Sequence, residues 1–263
     1  MLYLLSNFLY FGVSEIRHLL RELFSEFCRQ PLLREIRKSA GDSVDLDAID
    51  DAYRAKLYRT RFLGVGNPSE SGVHLLYYFR QENRLPSGLF INHIELPGMD
   101  GAHPDDITEV DRYIFLDDLC ATGDQVSNVM KLVTGKIRAA GSKARICYHP
   151  IFATSRAMQR MSSSGAFDEV SCVAEFDESF KCFSSDSRFY RNVPSPIDRV
   201  AAQSTAEHYG SILCPDDPLG YKNCQLALGF SHNTPDNTLP IFWEQPNVLI
   251  RTWKPVFRRY GKF

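Results

Sequence analysis

No Cys-x-x-Cys pair occurs among the seven cysteines of this 263-residue chain, at 28, 120, 147, 172, 182, 214 and 224. An odd count without that spacing argues against both a zinc ribbon and a disulfide framework. The thiols read as small buried hydrophobes of a reducing cytoplasm. A Gly-x-x-x-x-Gly-Lys-Ser/Thr run is also missing, which removes the P-loop. No stretch reaches the roughly 20 apolar residues that span a bilayer, so no membrane role is expected. The apolar start, Met1 to Phe11, lacks the positive residues and the cleavage site of a secretion signal, because charged residues follow from Ser14. It is expected to be buried as helix or strand, with partner binding as the alternative. The net charge of −2 leaves no whole-molecule attraction for nucleic acid or anionic membrane, only local patches.

What is present is alternation. Ile16, Leu19, Leu20, Leu23, Phe24 and Phe27 form one helical stripe, with Ser14 as its expected cap. A second helix is expected over 45–59 with Leu46, Ile49, Tyr53 and Leu57 inward. From Arg61 short apolar runs alternate with helical periods. Strands are expected at 61–65, 89–96, 113–116, 144–152 and 169–176. Helices are expected at 73–82, from Val126 to Gly141 (with Val126, Val129, Met130, Val133 and Ile137 on one face), and at 155–163. Such alternation implies parallel strands joined by crossover helices. Ser195 to His208 reads as a further helix, with Ser195 as cap and Pro196 in its first turn. The expected organisation is one α/β domain over 1–263: a helical cap (1–59), a core with a mostly parallel sheet and flanking helices (60–180), and a hood with tail (181–263).

The most informative stretch is Tyr113-Ile-Phe-Leu-Asp-Asp-Leu-Cys-Ala-Thr-Gly-Asp-Gln-Val126. Four apolar residues make a buried strand, two carboxylates follow, and a turn with Gly123 runs into a helix. Ligands of open α/β sheets bind beyond the carboxyl ends of the strands. There the N–H groups of a helix N-terminus face an anion such as phosphate, and carboxylates meet ribose hydroxyls or a magnesium ion. Metal-dependent phosphatases, receiver domains and Walker B strands also end in Asp-Asp; Thr122-Gly123 and the immediate helix favour a ribose-phosphate loop.

This stretch resembles the type I phosphoribosyltransferase family. The resemblance implies that Asp117 and Asp118 are the catalytic pair that meets the ribose and Mg2+, and that Ala121, Thr122, Gly123, Asp124 and Gln125 surround a 5′-phosphate. It covers about residues 61–176. There, 62–72 takes the place of the pyrophosphate loop, including Glu70, Ser71 and Gly72, and 98–112 takes the place of the flexible lid. The C-terminal part stands for the variable hood. Ser71-Gly72, the acidic motif and the run from Asn233 to Trp243 look like a divergent branch of bacterial anti-phage conflict loci, some beside retron reverse transcriptases. That branch implies a cytoplasmic defence effector acting on phosphoribosyl diphosphate or a nucleotide. It also implies a protein partner, a reverse transcriptase or other defence component, with its nucleic acid. A catalytically inactive nucleotide sensor or scaffold, and a toxic effector held inactive by a partner, remain the alternatives.

Two departures stand out. Family loops carry Gly at the position of Asp124 and a hydroxyl residue at that of Gln125. A carboxylate about 4 Å from a phosphate costs on the order of 1–4 kcal/mol per charge pair. In addition, neither 64–72 nor 98–111 contains a Lys or Arg. Arg61, Arg80, Arg84 or Mg2+ would then have to meet a diphosphate. His232 and Asn233 are candidates to close over a base or sugar, and His103 is a lid candidate, each weighed against an ordinary polar surface. The tail from Arg251 has five basic residues and four aromatics, a pattern that binds single-stranded nucleic acid or packs with its charges snorkelling; packing is favoured.

Overall fold

The computed structural model describes residues 2–42, 44–65, 71–102 and 106–260, with the backbone alone at 71–74, 106–107 and 125. In chain order the elements are α1 (Leu2–Ser6), β1 (Leu9–Phe11), α2 (Val13–Phe24), a π-turn (Ser25–Arg29), α3 (Gln30–Ser39), α4 (Leu46–Tyr58), β2 (Thr60–Gly64), α5 (Ser71–Glu82) and α6 (Asp106–Glu109). They continue with β3 (Arg112–Cys120), α7 (Asp124–Ala139), β4 (Arg145–Thr154), α8 (Ser155–Ser163), β5 (Glu169–Val170), β6 (Ala174–Phe176), α9 (Arg199–Leu213) and β7 (Leu228–Phe230). The chain divides into two compact units, Arg17–Glu175 and Met1–Ile16 with Phe176–Phe263.

The first unit holds the sheet, in the order β2-β3-β4-β5, with β6 also pairing β4. The β2–β3, β3–β4 and β4–β5 pairs are all parallel. The fold is therefore α/β with a mostly parallel sheet and flanking helices, as expected. One face of β3 and β4 buries Tyr113, Phe115, Ile146 and Tyr148 against Met130, Val133 and Ile137 of α7 and Met161 of α8. On the other face Phe24 of α2 meets Phe62 and Phe79 at ring separations of 6.4 and 5.7 Å. α4 is fixed at its start by Asp45, whose carboxylate accepts from the N–H groups of Asp47 and Ala48, both at 3.1 Å.

Several expectations are corrected. Residues 89–96 form no strand. A 3-10 turn (Ser87–Leu89), one bridge from Phe90 to Phe62 and a second turn (His93–Glu95) replace it. The Glu95 carboxylate accepts from the Asn92 N–H at 2.6 Å, and this local bond competes with a ladder. The helix expected at 195–208 spans Arg199–Leu213, because Asp198 rather than Ser195 caps it, accepting from the Ala201 N–H at 2.7 Å. α2 starts one residue before Ser14. Val129 and Leu46 point outward, being 43% and 78% exposed. The helix α3 lies outside the sequence expectations.

In the second unit β1 pairs β7 in parallel, Leu9 opposite Leu228. The tail packs: Phe257 stacks on Phe8 at 4.1 Å, and Arg259 lies over Trp243 while bonding Asp236 at 3.1 Å.

Candidate functional site

β2 ends at Gly64, opposite Leu116, and beyond it the Val65 N–H donates to the Leu116 carbonyl at 3.0 Å. β3 does not stop there. It runs on to Cys120, paired there, among the described residues, with β4 through Asp117–Pro150, Leu119–Phe152 and Cys120–Ala153. The acidic pair thus lies inside a longer strand than the four apolar residues suggest. It sits in a central strand, at its carboxyl half, past the end of the neighbouring strand.

Both carboxylates are partly buried and held by local bonds. Asp117 Oδ2 accepts from the Tyr148 hydroxyl at 2.9 Å, and its Oδ1 accepts from the Asp118 N–H at 3.0 Å. Asp118 Oδ1 accepts from the Leu119 N–H at 2.7 Å. Burial, and then the negative charge of Asp118, hold the Asp117 carboxyl well above the usual carboxylate range. Tyr148 itself is fully buried, and burial raises its hydroxyl further above its usual range. A cation or a set of hydroxyl donors at the pair would offset the repulsion that raises Asp117.

The loop that follows is clamped by α8. The Thr154 hydroxyl donates to the Ala121 carbonyl at 2.6 Å and accepts from the Ala157 N–H at 3.1 Å, joining the loop to the helix start. Gly123 has φ +71°, and a Cβ there would stand 2.7 Å from the Met161 methyl. Glycine is thus required twice, for conformation and for space. Ala121 and Thr122 are buried. The Asp124 N–H approaches Thr122 Oγ1 at 3.4 Å, and the first N–H groups of α7 open onto the loop. Asp124 is the first residue of α7, and its carboxylate pairs with Arg160 of α8. The negative charge is therefore both favourably placed at a helix N-terminus and neutralised.

Of the other candidates, Ser71 and Gly72 open α5, while Glu70 and His103 lie outside the described residues. Gln125 is the second residue of α7. Arg61 is occupied by the Tyr58 and Thr60 carbonyls at 2.8 and 3.2 Å. His232 and Asn233 belong to the second unit. There the Asn233 amide oxygen accepts from the Thr234 and Tyr260 N–H groups at 3.0 and 2.9 Å, and His232 stacks on Phe230 at 5.3 Å. Two residues near the site carry no signal in the sequence. Tyr148 looks there like one more core aromatic. His93 sits in the segment that reads as a strand, and its Nε2 contacts the Gly64 carbonyl at 2.8 Å, at the end of β2.

No group of three or more His, Cys, Asp or Glu that could hold a metal occurs among the described residues. Two adjacent carboxylates suit Mg2+ only where water and ligand oxygens complete the shell, which is the usual way this ion binds phosphate compounds.

The PRTase-CE family model matches residues 1–259. No match was found among curated proteins. Among solved structures, the Helicobacter pylori xanthine-guanine-hypoxanthine phosphoribosyltransferase aligns at 11% identity over 64% of this chain and 89% of its own, with a TM-score of 0.33. A Trypanosoma brucei adenine phosphoribosyl transferase, in complex with AMP, pyrophosphate and ribose-5-phosphate, aligns at 15% identity over 69% and 80%, with a TM-score of 0.28. Likeness of that depth says nothing of this chain's substrate. The match along nearly all of its length does place it: the chain belongs to the PRTase-CE family, and so among the phosphoribosyltransferase-like transferases.

Proposed function

We propose that the site transfers a ribosyl or phosphoribosyl group from phosphoribosyl diphosphate or a related nucleotide, with Mg2+ as cofactor. The observation that carries this is the step between β2 and β3. It leaves Asp117 and Asp118 past the end of β2, immediately before the Gly123 turn and the N-terminus of α7. Asp118 and Asp117 accept from the ribose hydroxyls and hold the ring. Tyr148 and the Asp118 N–H each hold one oxygen of Asp117 and so fix the orientation of its carboxylate. The N–H groups after Gly123 seat the 5′-phosphate, and Ser71-Gly72 at the start of α5 orient the leaving group. The bond from the anomeric carbon to the diphosphate oxygen, or to the base of a nucleotide, breaks. The electron pair leaves with that group, the acceptor's lone pair forms the new bond, and the acceptor's proton passes to the departing group or to water. Charge builds on the ring as in an oxocarbenium ion, so positioning and electrostatics supply the catalysis and no protein nucleophile is needed. When bound, Mg2+ would be held by Asp117, Asp118 and diphosphate oxygens, and would stabilise negative charge on the leaving group.

The same resemblance supports a setting: a cytoplasmic effector of an anti-phage system, working with a protein partner such as a reverse transcriptase and its nucleic acid. A second reading, a nucleotide sensor without turnover, is favoured by one observation. Residues 64–72 contain no cation to meet a diphosphate. Diphosphate release separates the two. With phosphoribosyl diphosphate, Mg2+ and a panel of bases, nucleosides and water as acceptors, the transferase liberates diphosphate. Tight binding with no release across the panel supports the sensor, and no binding of any ribose phosphate removes both readings.

A further inference from the structure

At the amino end of the sheet, a cleft of about 310 Å3 opens beside the first residues of β3 and β4. Its floor is apolar, built by Phe27, Pro31, Ile114 and Cys147, and its rim carries Arg34, Lys38, Arg112 and Arg145. Three further clefts continue it, since each shares walls with the next: through Arg112 and Arg145, then Lys143 and Arg145, then Arg138 and Asp168. Arg112 precedes Asp117 by five strand residues, roughly 17 Å at the usual rise. The series is therefore separate from the ribose site, and the transfer reading makes no use of it.

Eight basic and four acidic side chains line the series, in a chain whose net charge is −2. All four acids are already engaged. Glu35 pairs with Lys56 and Arg112, Asp111 with Arg59, Asp168 with Arg138, and Glu169 with Arg145. Arg34, Lys38, Lys131 and Lys143 are exposed and have no ion-pair or hydrogen-bond partner among the described residues. The acids thus neutralise the middle of the track, and the four remaining cations are left to meet an anion from outside.

We infer that this track binds a short segment of single-stranded nucleic acid. Its free cations meet successive phosphates, and the floor at Phe27, Pro31 and Ile114 takes an unstacked base. Three features select that ligand. The linked clefts extend from α3 past the starts of β3 and β4 to α7, which is more than one nucleotide fills. The apolar floor beside the cations suits a base with its phosphate, as in other strand-binding grooves. A duplex keeps its bases stacked inside and has no use for such a floor. The tail, the other basic and aromatic segment, is not this surface, because Phe257 and Arg259 are packed.

Fluorescence anisotropy with fluorescein-labelled 12-mers of oligothymidine and oligouridine tests the inference without phosphoribosyl diphosphate, so its outcome is independent of the transfer reading. Wild type binds both oligomers. The logarithm of affinity falls with that of salt at a slope of about −2 to −3, as neutralising three or four single-strand phosphates requires. Arg34→Glu with Lys143→Glu weakens binding at least about tenfold and flattens the slope, by about 0.7 for every phosphate that is no longer neutralised. Should that variant melt early, Lys38→Gln with Lys131→Gln keeps the test open, with a severalfold loss expected. The inference is overturned if wild type binds neither oligomer at low salt, or if both variants bind as wild type does. It also fails if poly-glutamate competes as well per charge as oligothymidine, which marks an acidic protein dock, or if a mononucleotide displaces the 12-mer at equal affinity.

Discussion

At its amino end β3 begins with Arg112, in register with Arg145 and surrounded by cations that outnumber their acidic neighbours. At its carboxyl end the same strand carries Asp117 and Asp118, and Arg160, the cation at the following loop, is paired with Asp124. Both ends are read here as places for phosphate, and they meet it by different means. One offers side-chain cations, which attract any phosphate chain and lose strength in salt. The other offers backbone N–H groups and two carboxylates that need a metal or hydroxyl donors to be at rest, which is a demanding and therefore selective arrangement. The difference teaches that local charge alone does not choose between them: the sugar phosphate is proposed for the acidic end, where the carboxylates adjoin the N-terminus of α7.

The largest effect on stability expected from probing this comparison lies between the two ends. His149 of β4 stands opposite Leu116, is fully buried, stacks on Phe27 at 5.4 Å, and neither ring nitrogen has a hydrogen-bond partner among the described residues. Burial lowers its pKa from 6.5 to about 4. The folded chain thus refuses a proton that the unfolded chain takes up below pH 6.5. The associated stability is complete above that value and is lost as pH falls toward 4, by about 2 kcal/mol at pH 5. Urea unfolding at pH 7 and pH 5 should show this loss in wild type and a much smaller one in His149→Leu. Equal losses in both would show that His149 is not the group that takes up the proton on unfolding.

A smaller loss is expected at the carboxyl end alone. Gly123→Ala places a Cβ at positive φ against the Met161 methyl, costing roughly 1–2 kcal/mol. It should weaken ribose-phosphate binding while leaving oligonucleotide binding at the amino end intact. A variant with wild-type melting and ribose-phosphate affinity would mean that the turn is not held as described.

The smallest effects concern the Asp124–Arg160 pair. Asp124→Gly releases Arg160 toward the phosphate and should tighten phosphoribosyl diphosphate binding by a few fold. Arg160→Gln leaves Asp124 uncompensated and should weaken it by a similar factor, about 1 kcal/mol for a partly screened charge. Isothermal titration of both variants decides; shifts in the same direction would remove the ion pair from the account.

Much of the sheet unit is legible in sequence because its strands are short apolar runs bounded by caps. The span of α8 matches its sequence expectation to the residue, since Thr154 and the alternation after it leave little choice. The acidic pair, Gly123 and the helix after it are readable for the same reason, as contiguous residues with distinct chemistry. What is not readable is distributed along the chain. Tyr148 is 31 residues from the carboxylate it supports. Arg160 meets Asp124 only once α8 has packed against the loop. The basic amino edge gathers Arg34, Arg112, Lys143 and Arg145 from separate elements, so no local run of charge announces it. Residues 89–96 mislead for the opposite reason: an apolar pattern is present, but Asn92 and Glu95 close a local turn instead.

The central claim is that Asp117 and Asp118 hold a ribose phosphate. Isothermal titration with phosphoribosyl diphosphate and Mg2+ on wild type and on Asp117→Asn with Asp118→Asn tests it directly, alongside thermal melts. The substitution keeps side-chain volume at a partly exposed strand end. Melting should therefore change little, while affinity falls at least about a hundredfold, the loss of two charge-assisted bonds. Unchanged affinity in a folded double variant would contradict the claim.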